Sequence, residues 1–191
     1  MTTARTTRGS LGAQARAGAL DRLRSQEFDL IVIGGGATGA GVAVDAASRG
    51  LRVALLEARD FAAGTSSRSS KLIHGGLRYL EQLDFPLVRE ALRERGLLLG
   101  TTAPHLVKPV PFLLPLQKRV WQRAYYGAGV ALYDTLGSVF GTARGMPRHK
   151  HLSKREARAI FPSLKPESLI GAIRYYDCQV DDARLVMTIA R

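Results

Sequence analysis

Three glycines and one glutamate carry the first legible chemistry. Gly34, Gly36 and Gly39 fall on the spacing G-x-G-x-x-G, and Glu57 follows 18 positions after the last of them. At that spacing the first glycine permits a tight turn and the second lets backbone approach a pyrophosphate. The third lets a helix lie close on a strand. A carboxylate placed like Glu57 can accept hydrogen bonds from both hydroxyls of an adenosine ribose, and it repels a 2′-phosphate. These residues describe a site for an adenine dinucleotide. A second polar group follows at Gly64–Gly76, where 13 residues hold five hydroxyl side chains, Lys71, His74 and the pair Gly75–Gly76. Hydroxyls and backbone N–H groups can hold phosphate and ribose oxygens. A glycine pair lets a flat ligand approach the backbone.

The elements that must position these groups are short. Phe28–Ile33 is an apolar, β-branched run suited to a buried parallel strand, broken only by Asp29. Ala40–Ser48 is a helix of small residues, Gly50 ends it, and Leu51–Leu56 is a second strand. Pro86 suits the first turn of a helix whose apolar stripe runs through Leu87, Val88, Ala91 and Leu92, and which serves packing. Four prolines in Pro104–Pro115 predict an extended segment at a sheet edge or in a rigid connector. Lys118–Leu136 is a helix with Trp121, Tyr125, Ala128 and Leu132 on one face. That face suits either an anionic lipid surface or a second domain. Gly127 and Gly129 are expected to bend it. Ser153 and Glu156 form a capping-box pair before a short helix ending near Phe161 and Pro162. Leu169–Tyr176 is a strand, and Asp181 or Asp182 caps a last helix from Ala183.

The fold class expected is α/β: one Rossmann-like βαβ unit of an incomplete doubly wound sheet, then helices and part of a substrate-domain region. Residues 1–27 are expected to be a disordered basic extension in which Ala13–Arg24 is transiently helical. Residues 28–191 then form the N-terminal part of a longer oxidoreductase domain, because the last helical pattern is still running at Arg191. The charge balance is basic, with 28 Lys+Arg against 16 Asp+Glu and a net +12. Residues 117–165 carry ten of the cations and two acids, a surface suited to phosphate-rich partners. One cysteine, Cys178, cannot close an internal disulfide, which suits a reducing compartment. It reads as structural, and no metal site is expected.

The run GGGATGAGVAVDAASRGLRVALLEARDFAAGTSSRSSKLIHGGLRYLE resembles FAD-dependent, quinone-linked glycerol-3-phosphate dehydrogenases. The later YYDCQVDDARL is similar to a second signature of that family. TSSRSSKLIHGGLRYLE is the specific part, since the glycine fingerprint is shared by many flavoproteins. The resemblance covers residues 28–191 and well under half of a full-length member.

That resemblance implies FAD as cofactor, sn-glycerol 3-phosphate as substrate, dihydroxyacetone phosphate as product and quinone as electron acceptor. It assigns Gly34, Gly36, Gly39 and Glu57 to the ADP half of the cofactor. Ser66, Ser67, Ser70, Lys71 and His74 fall to a flavin-side loop, and Arg78 and Tyr79 to the substrate pocket. His74, Arg78 and Tyr79 make up the catalytic set, while further phosphate-binding and acid–base groups are expected beyond Arg191. It further implies a cytoplasmic protein held peripherally on the inner face of the cell membrane through residues 117–165. A homodimer is expected in the full-length form and no nucleic-acid partner, and the 191-residue chain alone is expected to be inactive. Two other readings stand beside this one. They are an oxygen-using oxidase of the same superfamily, and a non-catalytic basic module that binds nucleic acid or membrane through Trp121, Tyr125, Tyr126 and the surrounding cations, Arg144 and Arg148 among them.

Overall fold

The computed structural model describes residues 12–118, 120–139 and 145–191, apart from the side chains of Gln14 and Arg78. Residues 1–11 of the predicted extension, and residues 119 and 140–144 of the basic stretch 117–165, therefore lie outside the described residues. In chain order the elements are α1 (Ala13–Ser25), β1 (Leu30–Ile33), α2 (Ala37–Ser48), β2 (Val53–Leu56), β3 (Leu72–Ile73), α3 (Leu77–Glu81), α4 (Phe85–Leu97), β4 (Lys108–Leu116), α5 (Trp121–Val139), β5 (Lys150–Ser153), α6 (Lys154–Ile160), β6 (Gly171–Gln179) and α7 (Asp182–Ile189). The described residues form two compact units, one within 12–71 with 181–191 and one within 72–180.

The first unit is built on β1 and β2, which pair in parallel from Leu30↔Val53 to Ile33↔Leu56. Asp29 explains the polar break in the apolar run. Its carboxylate takes hydrogen bonds from the Arg52 backbone N–H at 2.8 Å and from the Arg52 guanidinium at 2.9 and 3.1 Å. These tie the entrance of one strand to the entrance of the next, and Arg52 holds the Asp29 carboxyl down at about 2. Val32 and Ala54 are buried, whereas Ile33 on the other face of β1 is 87% exposed. α2 begins at Ala37, one turn earlier than the predicted Ala40, because Gly39 is a packing residue inside the helix rather than part of the turn. α7 closes this unit by packing Val186, Ala183 and Ile189 with Ala40, Phe61 and Ala62. Its N-cap is Asp181, which accepts from the Arg184 N–H at 3.1 Å.

Within the extension, Ala13–Ser25 form the helix α1, over the stretch where transient helix was expected. Its alanines, leucines and arginines are strong helix formers. Arg22 and Arg24 stand in the last turn, where cations suit the helix dipole, and Arg24 pairs with Asp21 at 3.4 Å.

The second unit is an antiparallel sheet with β6 at its centre. β4 pairs along one side from Lys108↔Gln179 to Leu116↔Gly171, while β3 and β5 share the other side at opposite ends. Pro109, Pro111 and Pro115 sit at alternate positions of β4. All three missing N–H groups therefore belong to the edge that faces away from β6, where a ladder loses nothing. One face of β6 packs Ile173 with Leu116 and Val130. The other packs Ala172 with Leu152, Ala157 and Leu169. The capping box forms as its sequence predicts, Ser153 Oγ accepting from the Glu156 N–H while the Glu156 carboxylate accepts from the Ser153 N–H.

In α5 the buried face is Gly127, Val130, Tyr133 and Gly137, not the face of Trp121, which is 68% exposed and stacks on Tyr125 at 5.5 Å. Gly127 is a contact: a Cβ there would come within 3.0 Å of the His151 ring. An apolar groove of about 540 Å³ lies between α3, α5 and the sheet, with Leu77, Leu80, Tyr126 and Tyr175 in its walls. Among the described residues no helix is long and apolar enough to cross a membrane, and no cluster of His, Cys, Asp and Glu could hold a metal ion.

Candidate dinucleotide site and its neighbours

The glycine turn is assembled at the end of β1. The Gly34 N–H donates to the Leu56 carbonyl at 2.8 Å and so carries the parallel ladder one residue past the strand. The chain then turns with Gly34 at φ +111°, a conformation that only glycine adopts without strain. Gly36 is extended and is the N-cap of α2. A Cβ on Gly39 would land on the Gly34 carbonyl oxygen, so α2 reaches the strand only because Gly39 has none. Gly35, which the spacing argument passed over, is equally constrained: a Cβ would meet Phe61 Cδ1 at 2.7 Å and Glu57 Cβ at 3.0 Å.

The space around this turn is selective. A Cβ on Gly34 would meet nothing within 4 Å, whereas Gly35, Gly36 and Gly39 are closed in by Phe61, Ser66 and Gly34. The opening therefore lies over the turn and the first turn of α2, whose N–H groups lack intrahelical partners and favour an anion. A pyrophosphate fits this cradle in both charge and room. Ser66 ties the following loop to it, its Oγ accepting from the Ala37 N–H at 2.9 Å.

Glu57 leaves β2 with both carboxylate oxygens engaged. Oε2 accepts from the Gly35 N–H at 2.7 Å, and Oε1 from the Arg59 N–H at 2.8 Å. The Arg59 bond first, then the Gly35 bond, holds its carboxyl below the usual carboxylate range, so it is ionised at neutral pH. Each oxygen keeps a further lone pair, enough for two ribose hydroxyls.

The predicted polar loop divides at Lys71. Gly64–Lys71 stays with the first unit and contains a single 3₁₀ turn, Thr65–Ser67, in which Ser66 and Ser67 are half-buried. Ser70 and Lys71 are exposed. Two residues missed in the sequence fix this end. Ser69 Oγ donates to Asp182 at 2.5 Å and accepts from the Lys71 N–H at 2.8 Å. Lys71, at φ +60°, places Nζ 3.9 Å from the same Asp182 carboxylate. The start of α7 therefore anchors this loop.

The remaining predicted residues belong to the second unit, because Leu72 and Ile73 form β3 against Gln179 and Cys178. His74 is exposed in the turn that follows. Gly76, at φ +74°, is the N-cap of α3, which carries Arg78 and Tyr79. The Tyr79 N–H donates to the Gly76 carbonyl at 2.7 Å. Its ring is partly buried against Leu80, Val88, Leu92 and Tyr133, so Tyr79 is in part a packing residue. The Arg78 side chain lies outside the described residues. Cys178 is fully buried, and that burial pushes its thiol up to about 11, which keeps it protonated and unreactive.

The parallel strand pair, the glycine turn and the carboxylate at the end of β2 define an α/β fold of the dinucleotide-binding kind. Residues 29–191 match the family model described as FAD dependent oxidoreductase. The chain belongs to that family, and its cofactor is FAD. It is 61% identical over 182 residues to glycerol-3-phosphate dehydrogenase of Mycobacterium leprae, an alignment covering 95% of this chain and 30% of that protein. It is 50% identical over 173 residues to the mitochondrial glycerol-3-phosphate dehydrogenase of Rattus norvegicus, covering 87% of this chain and 23% of the relative. A similar solved structure is glycerol-3-phosphate dehydrogenase from Bacillus halodurans complexed with FAD, at 31% identity and a TM-score of 0.60 over 92% of this chain and 26% of that one. The chain thus spans 30% or less of the length of these proteins.

Proposed function

We propose that the whole natural protein oxidises sn-glycerol 3-phosphate to dihydroxyacetone phosphate and passes the electrons to quinone. The observation that carries this reading is the 61% identity, over 95% of the chain, to a glycerol-3-phosphate dehydrogenase. In the reaction the secondary carbon gives up its hydrogen with two electrons, the hydroxyl gives up a proton to a base, and a C=O bond forms. Bound FAD supplies the hydride acceptor. Gly34, Gly35, Gly36 and Gly39 would hold its pyrophosphate against α2, Glu57 its adenosine ribose, and Ser66, Ser67, Ser70 and Lys71 its flavin side. An arginine at position 78 can bind a phosphate oxygen or the oxygen on which charge develops. The Tyr79 phenol can donate one further hydrogen bond, and the exposed His74 imidazole can donate one from a ring N–H or accept one at a ring nitrogen. Membrane attachment at the inner face would use the exposed Val120, Trp121 and Tyr125 together with Lys118. Arg123 is less free, since its Nη2 would sit 2.6 Å from a Cβ at Gly171.

The test is anaerobic turnover of the FAD-bound protein with a soluble quinone, comparing glycerol 3-phosphate with glycerol. A site built around a phosphate should prefer the phosphate ester by about a hundredfold or more in kcat/KM, and vesicles of anionic lipid should retain the protein at low salt and release it at high salt. Equal rates with glycerol would overturn the substrate assignment. A strict need for oxygen would overturn the acceptor, and salt-insensitive or absent vesicle binding would overturn the membrane contact.

A further inference from the structure

The core of the second unit contains a polar group that the apolar pattern of its sequence does not announce. Arg95 in the last turn of α4, Tyr133 in α5 and Asp177 in β6 are 4%, 1% and 5% exposed. Arg95 Nη1 donates both to Tyr133 OH, at 2.9 Å, and to Asp177 Oδ1. Tyr133 OH donates to the same Asp177 oxygen at 2.7 Å, and the guanidinium stands over the Tyr133 ring, 5.2 Å from its centroid.

Stability alone is a poor reason for this group. A buried ion pair recovers little more than its desolvation cost, and apolar side chains of similar volume often serve as well. Its neighbours Leu80, Val88 and Leu92 are of that kind. Arg95 Nε is moreover buried with no hydrogen-bond partner among the described residues, a cost that an apolar replacement would not carry.

What leucine could not supply is a set of acceptors for one backbone group. The Gly75 N–H donates to Tyr133 OH at 2.7 Å and to Asp177 Oδ1 at 3.2 Å. Gly75 is pressed so closely onto the group that a Cβ there would run into Tyr133 OH and Leu92. The next residue, Gly76, begins α3 in a left-handed conformation, and a Cβ there would run into the Tyr79 ring. The turn at Gly75 is thus held by one amide whose two acceptors, Tyr133 and Asp177, are themselves held by Arg95.

We infer that Arg95, Tyr133 and Asp177 are positioning residues for the His74–Tyr79 segment, acting through the Gly75 N–H. The inference deepens the proposed function, since that reading gives His74, Arg78 and Tyr79 their roles. None of the three touches the reacting atoms in this account. Their work is to keep the turn from sampling other conformations.

The test uses the whole FAD-bound protein. Tyr133→Phe keeps the buried ring and deletes the hydroxyl, leaving the Gly75 N–H only its longer bond. Hydrogen exchange over residues 75–79 should quicken by about tenfold or more, as expected for loss of a buried hydrogen bond. Turnover of glycerol 3-phosphate should fall by a similar factor, with FAD content unchanged. Leu152→Ala, in the separate core on the other face of β6, should lower the melting temperature while leaving exchange over 75–79 and kcat near wild type well below the melt. Arg95→Lys should recover part of the exchange protection that Arg95→Met loses.

Unchanged exchange in both Tyr133→Phe and Arg95→Met would overturn the inference. So would a Leu152→Ala protein that loses protection and kcat as much as Tyr133→Phe. Exchange needs no substrate, so it decides the role of the network even if wild type fails to oxidise glycerol 3-phosphate, a failure that would instead sink the proposed function.

Discussion

Gly39→Ala should yield protein that carries no flavin. The added Cβ would fall on the Gly34 carbonyl oxygen, and no rotamer relieves a clash with backbone. α2 must therefore move away from β1, taking with it the N–H groups of its first turn and the Ala37–Ser66 hydrogen bond. Overpacking of this kind costs about 1–3 kcal/mol in a fold that can yield elsewhere, and here the movement is concentrated in the anion site itself. Gly41→Ala, two residues on in the same helix, is the control. Its Cβ would meet nothing within 4 Å, so flavin content should be normal and the helix slightly firmer. Flavin absorbance per protein after gel filtration reads both. A fully yellow Gly39→Ala protein would show that the close approach of α2 to β1 is not what the cofactor needs.

Glu57→Ala should weaken FAD binding by about tenfold or more without unfolding the chain, because a charge-assisted acceptor is lost. Two effects combine: the ribose loses its partner, and the Gly35 N–H loses the bond that places it. Glu57→Gln should fall between, since one amide oxygen can still accept. The pH dependence has a definite sign. The Glu57 carboxyl is depressed in the folded chain by the N–H groups of Arg59 and Gly35. What its ionised form contributes is therefore fully present above the ordinary carboxylate range and lost as pH falls through the lower folded value. FAD affinity should then be flat from neutral pH down into that range and drop only below it. An equilibrium titration showing equal affinity for Glu57→Ala and wild type would remove the carboxylate from the site.

What was legible in the sequence was local. The parallel pair, the glycine turn, Glu57, the Ser153–Glu156 box and the Asp181 cap each depend on residues within a single turn or one βαβ unit, where spacing translates directly into geometry. The prolines of β4 announced an edge for the same reason, through the N–H groups that they lack. What was not legible depends on partners far apart. The Gly35 contact with Phe61, the Gly127 contact with His151 and the Ser69 bond to Asp182 join residues that no periodicity links. The Arg95–Tyr133–Asp177 group is the extreme case, its members 38, 44 and 82 positions apart. Its one local hint was an acid, Asp177, directly after the run Leu169–Tyr176 that reads as strand. The division of the polar loop at Lys71 was hidden for a related reason: Leu72 and Ile73 become strand only because Cys178 and Gln179 come to pair with them.

The central claim is that this chain's glycine turn serves an FAD that sn-glycerol 3-phosphate reduces. The most direct test is to mix the whole FAD-bound protein anaerobically with sn-glycerol 3-phosphate and follow the flavin absorbance while assaying product. The flavin should bleach, with dihydroxyacetone phosphate formed in equal amount. An oxidised spectrum that does not change in the presence of glycerol 3-phosphate, in protein that is folded and fully loaded with FAD, would contradict the claim.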